Sequence, residues 1–150
     1  MPSSFRLAAT VLLLAAAAWP QQATDKKKTA PPDPCPGAQS QMDITSCWED
    51  LAKKSDAHLT AVYQKVQKAI RAKVAQEQLG PLKGYRERAL EKLKAAELAW
   101  IHYREVECDA VEQQNEGGSI APSVHAGCMK EMADRRADDL QKTYAIYLLP

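Results

Sequence analysis

At 150 residues, the chain is long enough for one domain with a buried core. Its 20 basic and 19 acidic residues leave a formal net charge of +1, which excludes a global field that would draw the protein to nucleic acid or an anionic membrane. Aromatic residues are few, Ala, Leu, Lys, Glu and Gln dominate, and no strand pattern appears, so we expect an all-α protein.

The first segment has the pattern of a secretory signal. A basic residue precedes the apolar run from Leu7 to Trp19, which is too short to span a bilayer as a stable helix. Small residues predict cleavage after Ala18, so that residues 1–18 form the signal peptide; cleavage after Ala23 is the alternative. A buried helix of the fold is the competing interpretation, but a linker-like stretch follows directly. We therefore predict a periplasmic or secreted protein with no stable membrane insertion after cleavage.

Residues 19–36 have the composition of a linker. Residues 21–36 show no hydrophobic period. They combine a triple lysine with four prolines, at Lys26, Lys27, Lys28, Pro31, Pro32, Pro34 and Pro36. We expect this stretch to be extended and disordered, with the lysines solvated; contact with an anionic surface is the alternative. The helical domain is predicted to occupy residues 37–150.

The first helix of that domain is predicted to begin near Ser46, where Ser46 and Glu49 form a capping box. Apolar residues then recur at helical spacing as far as Val74, while lysine and arginine residues fall largely on other faces. This pattern is typical of a long amphipathic helix packed on a core, and the interleaved acidic residues disfavour a membrane-surface helix. Gly80 and Pro81 end the helix and start the next, which predicts an antiparallel hairpin.

The second helix is predicted from Pro81 to Gln113 and the third from Ser123 to Leu148. We expect Trp100 to pack in the core and Arg104 to pair with a carboxylate. The predicted inward face of the second helix comprises Leu93, Ala96, Trp100, Ile101, Arg104 and Cys108. The predicted inward face of the third comprises Cys128, Met132, Arg135, Leu140, Tyr144 and Tyr147.

Four cysteines in an exported chain of this size indicate two disulfides, because the periplasm and the exterior keep thiols oxidised. Their spacing lacks the paired C-x-x-C pattern of a zinc site, so no metal site is predicted. Three pairings are possible, and we favour Cys35 with Cys47 and Cys108 with Cys128, because each closes a short loop beside a helix end. The predicted fold is thus a small all-α bundle of three main helices, a long antiparallel hairpin plus a third helix, cross-linked by two disulfides at one end.

The second helix also carries a recognisable motif. The motif is L-x-x-A-x-x-x-W-I-x-Y-R-x-x-E-C, and its residues are Leu93, Ala96, Trp100, Ile101, Tyr103, Arg104, Glu107 and Cys108. Farther along the chain come Gly-Gly-Ser, a cysteine and R-x-x-x-L, at Gly117, Gly118, Ser119, Cys128, Arg136 and Leu140. In these residues the chain resembles the lysozyme-inhibitor LprI-type N-terminal domain family, over about Cys35 to Leu140. The family usually has Gln where this chain has Glu97. The resemblance implies an exported protein that acts by binding a lysozyme.

The residues themselves give little support for catalysis. His58, His102 and His125 are scattered, and no serine or cysteine has a recognisable base beside it in sequence. We therefore predict no enzyme activity, no catalytic residues and no cofactor. The alternative to lysozyme inhibition is a periplasmic adaptor or envelope-stress protein that binds another partner through a helix face.

The predicted binding surface is the segment Asn115–Gly127, which lies between Cys108 and Cys128. Carboxylates accumulate here, because residues 105–129 contain no lysine or arginine, although Lys53, Lys54 and Lys130 could offset part of that charge. The predicted partner-binding residues are Glu112, Glu116, Gly117, Gly118, Ser119 and His125. The competing interpretations are a plain helix connection, or binding by the acidic helix face at Glu105, Asp109 and Glu112. The oligomeric state is not predicted.

Overall fold

A computed structural model of the protein describes residues 33–76 and 83–149. These residues form four α-helices and no strand: α1 (Gln41–Gln76), α2 (Lys83–Gln113), α3 (Ala121–Thr143) and the short α4 (Ala145–Leu148). The predicted all-α fold with three main helices is confirmed. The predicted signal peptide and its cleavage sites, the linker as far as residue 32 and the Gly80–Pro81 break lie outside the described residues.

The first helix begins earlier than its predicted start near Ser46. A reciprocal pair of hydrogen bonds caps it: the Asp43 amide donates to Ser40 Oγ at 3.1 Å, and the Ser40 amide donates to Asp43 Oδ2 at 3.0 Å. The hydrogen bond from the Ser40 side chain is the main cause that lowers the pKa of Asp43. The Ser40–Asp43 pair is an equivalent capping box, with Asp in place of Glu, and it leaves Ser46 inside the helix.

Cross-helix contacts establish an up-down-up arrangement. At the start of α1, Gln41 Nε2 donates to Ser123 Oγ at 3.1 Å, and the Trp48 ring lies against Gly127, so α1 and α3 run parallel. The guanidinium of Arg86 reaches the carbonyl of Lys73, at the far end of α1, so α2 runs antiparallel to both. The predicted antiparallel relation of the first two helices is therefore correct, but α1 packs most extensively against α3.

The apolar core lies mainly between α1 and α3. Ala133 and Ala137 of α3 are fully buried, and their small side chains let the two helices approach closely. The core cluster comprises Leu59, Val62, Val66 and Ile70 of α1, Leu93 of α2, and Ala133, Ala137 and Leu140 of α3. Arg135, which was predicted on the inward face of α3, is exposed, and the neighbouring Arg136 points inward instead.

The third helix starts at Ala121, before the predicted Ser123, with Pro122 in its first turn. It is interrupted at Tyr144, whose backbone leaves the helical region, before α4 begins. Tyr144 and Tyr147 still pack on the core, as predicted.

The buried face of α2 is narrow and largely polar. Ala96 and Ile101, which were predicted to face the core, are exposed, whereas Glu97 is 6% exposed. The stripe that meets α1 and α3 follows four- and three-residue steps through Leu93, Glu97, Trp100, Arg104 and Cys108. The predicted inward face was wrong at Ala96 and Ile101 because the prediction assumed that apolar side chains would face the core. In this helix, charged side chains face the core instead.

Ion pairs compensate the buried charges of that stripe. As predicted, Arg104 pairs with a carboxylate, that of Asp56 on α1. Glu97 accepts two hydrogen bonds from Arg136 on α3, at 3.0 and 2.8 Å. The Trp100 ring lies beside both guanidinium groups, at 5.0 Å from Arg104 and 5.7 Å from Arg136. Partly buried, Trp100 packs against the core cluster.

Both predicted disulfides are present. Cys35 bonds Cys47, and Cys108 bonds Cys128, with Cα–Cα distances of 6.1 and 5.6 Å. They lie at the same end of the bundle, because Trp48, next to Cys47, contacts Gly127, next to Cys128. Cys35 is buried by its disulfide, so the ordered chain includes the last residues of the predicted linker.

Truncating a side chain in the core contact between α1 and α3 should destabilise the protein, whereas truncating an exposed side chain should not. Ile70→Ala should lower the free energy of unfolding by about 2–5 kcal/mol, because it leaves a cavity at a fully buried site. Leu98→Ala, at a position that is 70% exposed, should change it by less than about 0.5 kcal/mol. Urea denaturation measures both, and equal losses would contradict the described orientation of α2.

The Glu97–Arg136 pair makes a second prediction. Arg136→Leu should cost about 3–5 kcal/mol, because it leaves the Glu97 carboxylate buried without its partner. The double variant Glu97→Leu/Arg136→Leu should recover most of that loss, since no unpaired charge remains. Arg135→Leu, on the exposed side, is the matched control and should have little effect. A double variant less stable than Arg136→Leu in the same denaturation would refute the pairing argument.

Candidate functional site

The connection between α2 and α3 is a short, internally hydrogen-bonded loop, Gln114–Ile120. The amide of Asn115 donates to the Glu112 carbonyl at 2.8 Å, and the amide of Gly118 donates to the Asn115 carbonyl at 3.0 Å. The Asn115 side chain donates to the Val111 carbonyl at 3.2 Å. The loop therefore has a defined backbone conformation.

The turn itself favours glycine at both loop positions. Gly117 has φ +78°, in the left-handed region that other residues rarely adopt, and a Cβ on Gly118 would lie 3.1 Å from the Asn115 carbonyl oxygen. Their presence is therefore explained without a partner. Glu116, Ser119 and the two glycines are all exposed, so the loop surface is accessible.

The predicted binding segment Asn115–Gly127 is only partly a loop. Residues from Ala121 onward belong to α3, because Pro122 is well suited to a first helical turn. His125 therefore lies on the helix, where its Nε2 is 3.3 Å from Asp109 Oδ1. Gly127 is also helical, and the Trp48 ring occupies the space beside it. The structure thus separates His125 from Ser119 and places it beside the end of α2.

The end of the bundle near the loop is acidic. Glu105, Asp109 and Glu112 share one side of α2 at four- and three-residue spacing, and we call them, with Glu116 of the loop, the acidic face. Glu112 is half-buried and the other three are exposed.

Two lysines that could offset this charge bind other carboxylates. Lys53 contacts Asp50 at 3.2 Å, and Lys130 contacts Asp134 at 2.7 Å. Burial acts to raise the pKa of Asp134, but hydrogen bonds from Lys130 and Ser55 together hold that pKa below its usual value. The charge of Lys130 is thus matched by an ionised Asp134.

The surface also has a depression, the α2–α3 cleft, which was not predicted from the sequence. It has a volume of about 740 Å³ and includes among its lining residues Trp48, Trp100, Tyr103, Glu107, Met132 and Arg135. The helical spacing of Trp100, Tyr103 and Glu107 could have predicted that these three side chains share one side of α2. The position of Trp48 could not be predicted in this way, because it depends on the parallel packing of α1 and α3. Five residues of the family motif line this cleft: Trp100, Tyr103, Glu107, Cys128 and Arg136. Arg104, also of the motif, is directed to Asp56 instead.

The chemistry of the loop, the acidic face and the cleft suits binding. The loop offers peptide groups and a hydroxyl, the acidic face offers carboxylates, and the cleft offers aromatic rings with a charged rim. Elsewhere, His58 and His102 are exposed on separate helices, away from the loop connection.

Comparison with known proteins assigns the family. Residues 33–140 match the family model described as lysozyme inhibitor LprI. An uncharacterized protein of Rhizobium meliloti (strain 1021) is 35% identical over 112 residues, which cover 74% of this chain and 79% of that protein. No solved structure matches. The chain belongs to the lysozyme inhibitor LprI family.

Proposed function

We propose that this protein is an exported inhibitor that binds a lysozyme, or a related cell-wall glycosidase, through the loop Gln114–Ile120 and the adjoining acidic face. Family membership supports the class of partner. The observation that carries the choice of surface is the loop itself, which is exposed, hydrogen-bonded within its own backbone and held between helices joined by Cys108–Cys128.

Export is supported by the predicted signal peptide and by the two disulfides, which persist in oxidising compartments. Within residues 33–76 and 83–149, no helix combines the length and hydropathy that a membrane span needs. We therefore propose a periplasmic or secreted location, where cell-wall hydrolases act.

Inhibition would come from steric and polar contacts with no chemical step. A loop that is already ordered loses little conformational entropy on binding, so it can enter a concave active site at low cost. The Ser119 hydroxyl and the peptide groups beside Gly117 can hydrogen-bond the paired carboxylates of a glycosidase cleft. The exposed glycines leave room for close backbone approach on that side.

The acidic face would contribute mainly to the rate and specificity of association. Carboxylates of Glu105, Asp109 and Glu116 are exposed, and they would attract a strongly basic partner such as an animal-type lysozyme. A protein with a net charge of +1 can still present this local negative surface. Binding should therefore weaken as salt concentration rises.

A second candidate function is supported by the α2–α3 cleft. Two tryptophans and Tyr103 in a depression of about 740 Å³ could hold a segment of another envelope protein, as an adaptor or stress protein would. An adaptor of this kind would bind through the cleft and show no lysozyme inhibition.

If the loop enters the active site of the lysozyme, a substitution in the loop should weaken binding more than the same substitution elsewhere. Ser119→Arg should weaken lysozyme binding at least tenfold, about 1.4 kcal/mol, because it adds bulk and positive charge at the point of contact. Thr60→Arg, at an exposed position of α1, makes the same charge change on a hydroxyl residue and should leave binding unchanged. Calorimetry and a cell-wall lysis assay against a panel of lysozymes measure both. If inhibition occurs and the two variants behave alike, the loop is not the inhibitory element; if no lysozyme is inhibited by the wild type, the adaptor function is favoured.

Electrostatic steering predicts a kinetic effect. Glu105→Gln/Glu116→Gln should slow association with a basic lysozyme by about threefold to tenfold at low salt and leave dissociation nearly unchanged. Glu91→Gln/Asp138→Asn removes the same charge from exposed positions elsewhere and should have a smaller effect. Surface plasmon resonance at two salt concentrations separates the rates. Equal slowing by the two double variants would assign the effect to net charge and exclude a directed acidic face.

A further inference from the structure

Three metal-ligating side chains converge at the base of the loop. Asp109 and Glu112 come from the last turns of α2 and His125 from the second turn of α3. One ligand atom of each lies within 4.8 Å of the others, and His125 Nε2 is 3.3 Å from Asp109 Oδ1. The imidazole comes from a different helix than the carboxylates, so the group forms only in the folded protein.

The Cys108–Cys128 disulfide holds the two halves of this group together. Asp109 directly follows Cys108, and His125 stands one helical turn before Cys128, whose Cα is 5.6 Å from that of Cys108. Glu112 is one turn beyond Asp109 on the same side of α2. The backbone positions of all three side chains are therefore set by a covalent link, unlike those of carboxylates scattered over a helix surface.

We propose that Asp109, Glu112 and His125 bind a divalent transition-metal ion, with Zn²⁺ the best match. Imidazole nitrogen and carboxylate oxygen are both Zn²⁺ ligands, at metal–ligand distances of about 2.0–2.2 Å, and three protein ligands suffice for a site with an open position. Two such ligands on a tetrahedral centre lie roughly 3.4 Å apart, close to the observed separation of His125 Nε2 and Asp109 Oδ1. A fourth position remains for water or for a group from a partner.

The nitrogen ligand makes the site selective. Ca²⁺ and Mg²⁺ prefer oxygen ligands alone, and Ca²⁺ takes six to eight of them. Imidazole favours zinc, copper and nickel. The cysteines take no part, because all four are in disulfides. The proposal therefore differs from the cysteine-based zinc site that the sequence argues against, and it does not depend on lysozyme binding.

The test is calorimetric titration of ZnCl2 into the disulfide-bonded protein, purified without a polyhistidine tag. One ion should bind per chain, and His125→Ala should weaken binding by more than the about 10–100-fold typical of losing a residue that only orients a ligand. His102→Ala removes an exposed histidine of α2 and should leave the affinity unchanged. Circular dichroism checks that each variant keeps its helices.

Two results would overturn the proposal: a Zn²⁺ affinity that His125→Ala leaves intact, or equally tight binding of Ca²⁺ or Mg²⁺, which would indicate a nonselective acidic surface. Should His125→Ala fail to fold, the wild type provides the deciding measurement. Bound Zn²⁺ should protect His125, and leave His102 reactive, when histidines are modified with diethylpyrocarbonate and mapped by mass spectrometry. Equal reactivity of His125 with and without Zn²⁺ would refute the site. No lysozyme is needed, so failure here leaves the proposed inhibition untouched.

Discussion

The attachment of α2 to the rest of the bundle is the constraint on which the structure depends. The other two long helices share an extensive apolar contact, whereas the described part of α2 places Leu93 in the core cluster and packs Leu90 and Trp100 against it. Its polar and covalent anchors include the pairs Glu97–Arg136 and Arg104–Asp56 and the disulfide from Cys108. Each of these anchors joins two particular residues, so all of them form together only in the observed register of α2. The loop and the acidic face take their positions from that register.

Much of the fold could be predicted because its signals are local. Helical periodicity was sufficient to predict three helices. The number of cysteines, and the short loop that each cysteine pair closes, were sufficient to predict the correct disulfides. The errors arose where a long-range contact decides the outcome. Ile101 is more apolar than Glu97, yet Glu97 is the buried residue, because Arg136 on another helix supplies its partner. The Ser40–Asp43 cap was missed for a different reason: the capping-box pattern has Glu or Gln at its fourth position, and here that position is Asp43.

The candidate site was less predictable because long-range contacts also decide much of it. Glu116, Gly117, Gly118 and Ser119 lie together because they are neighbours in sequence, and their exposure followed from loop composition. The pairing of His125 with Asp109, and the α2–α3 cleft, both require knowledge of which helices lie side by side. The predicted Cys108–Cys128 bond already implied the first of these, since it brings the flanking turns of α2 and α3 within reach of each other.

The parallel packing of α1 and α3 also constrains how the protein folds. Gln41 and Ser123, which meet at one end of this contact, are separated by 82 positions. Contacts this distant in sequence require closure of a large loop, which raises relative contact order and slows folding. Since α3 follows the whole of α2 in the chain, the apolar core is completed only when the last of the three long helices docks against the first.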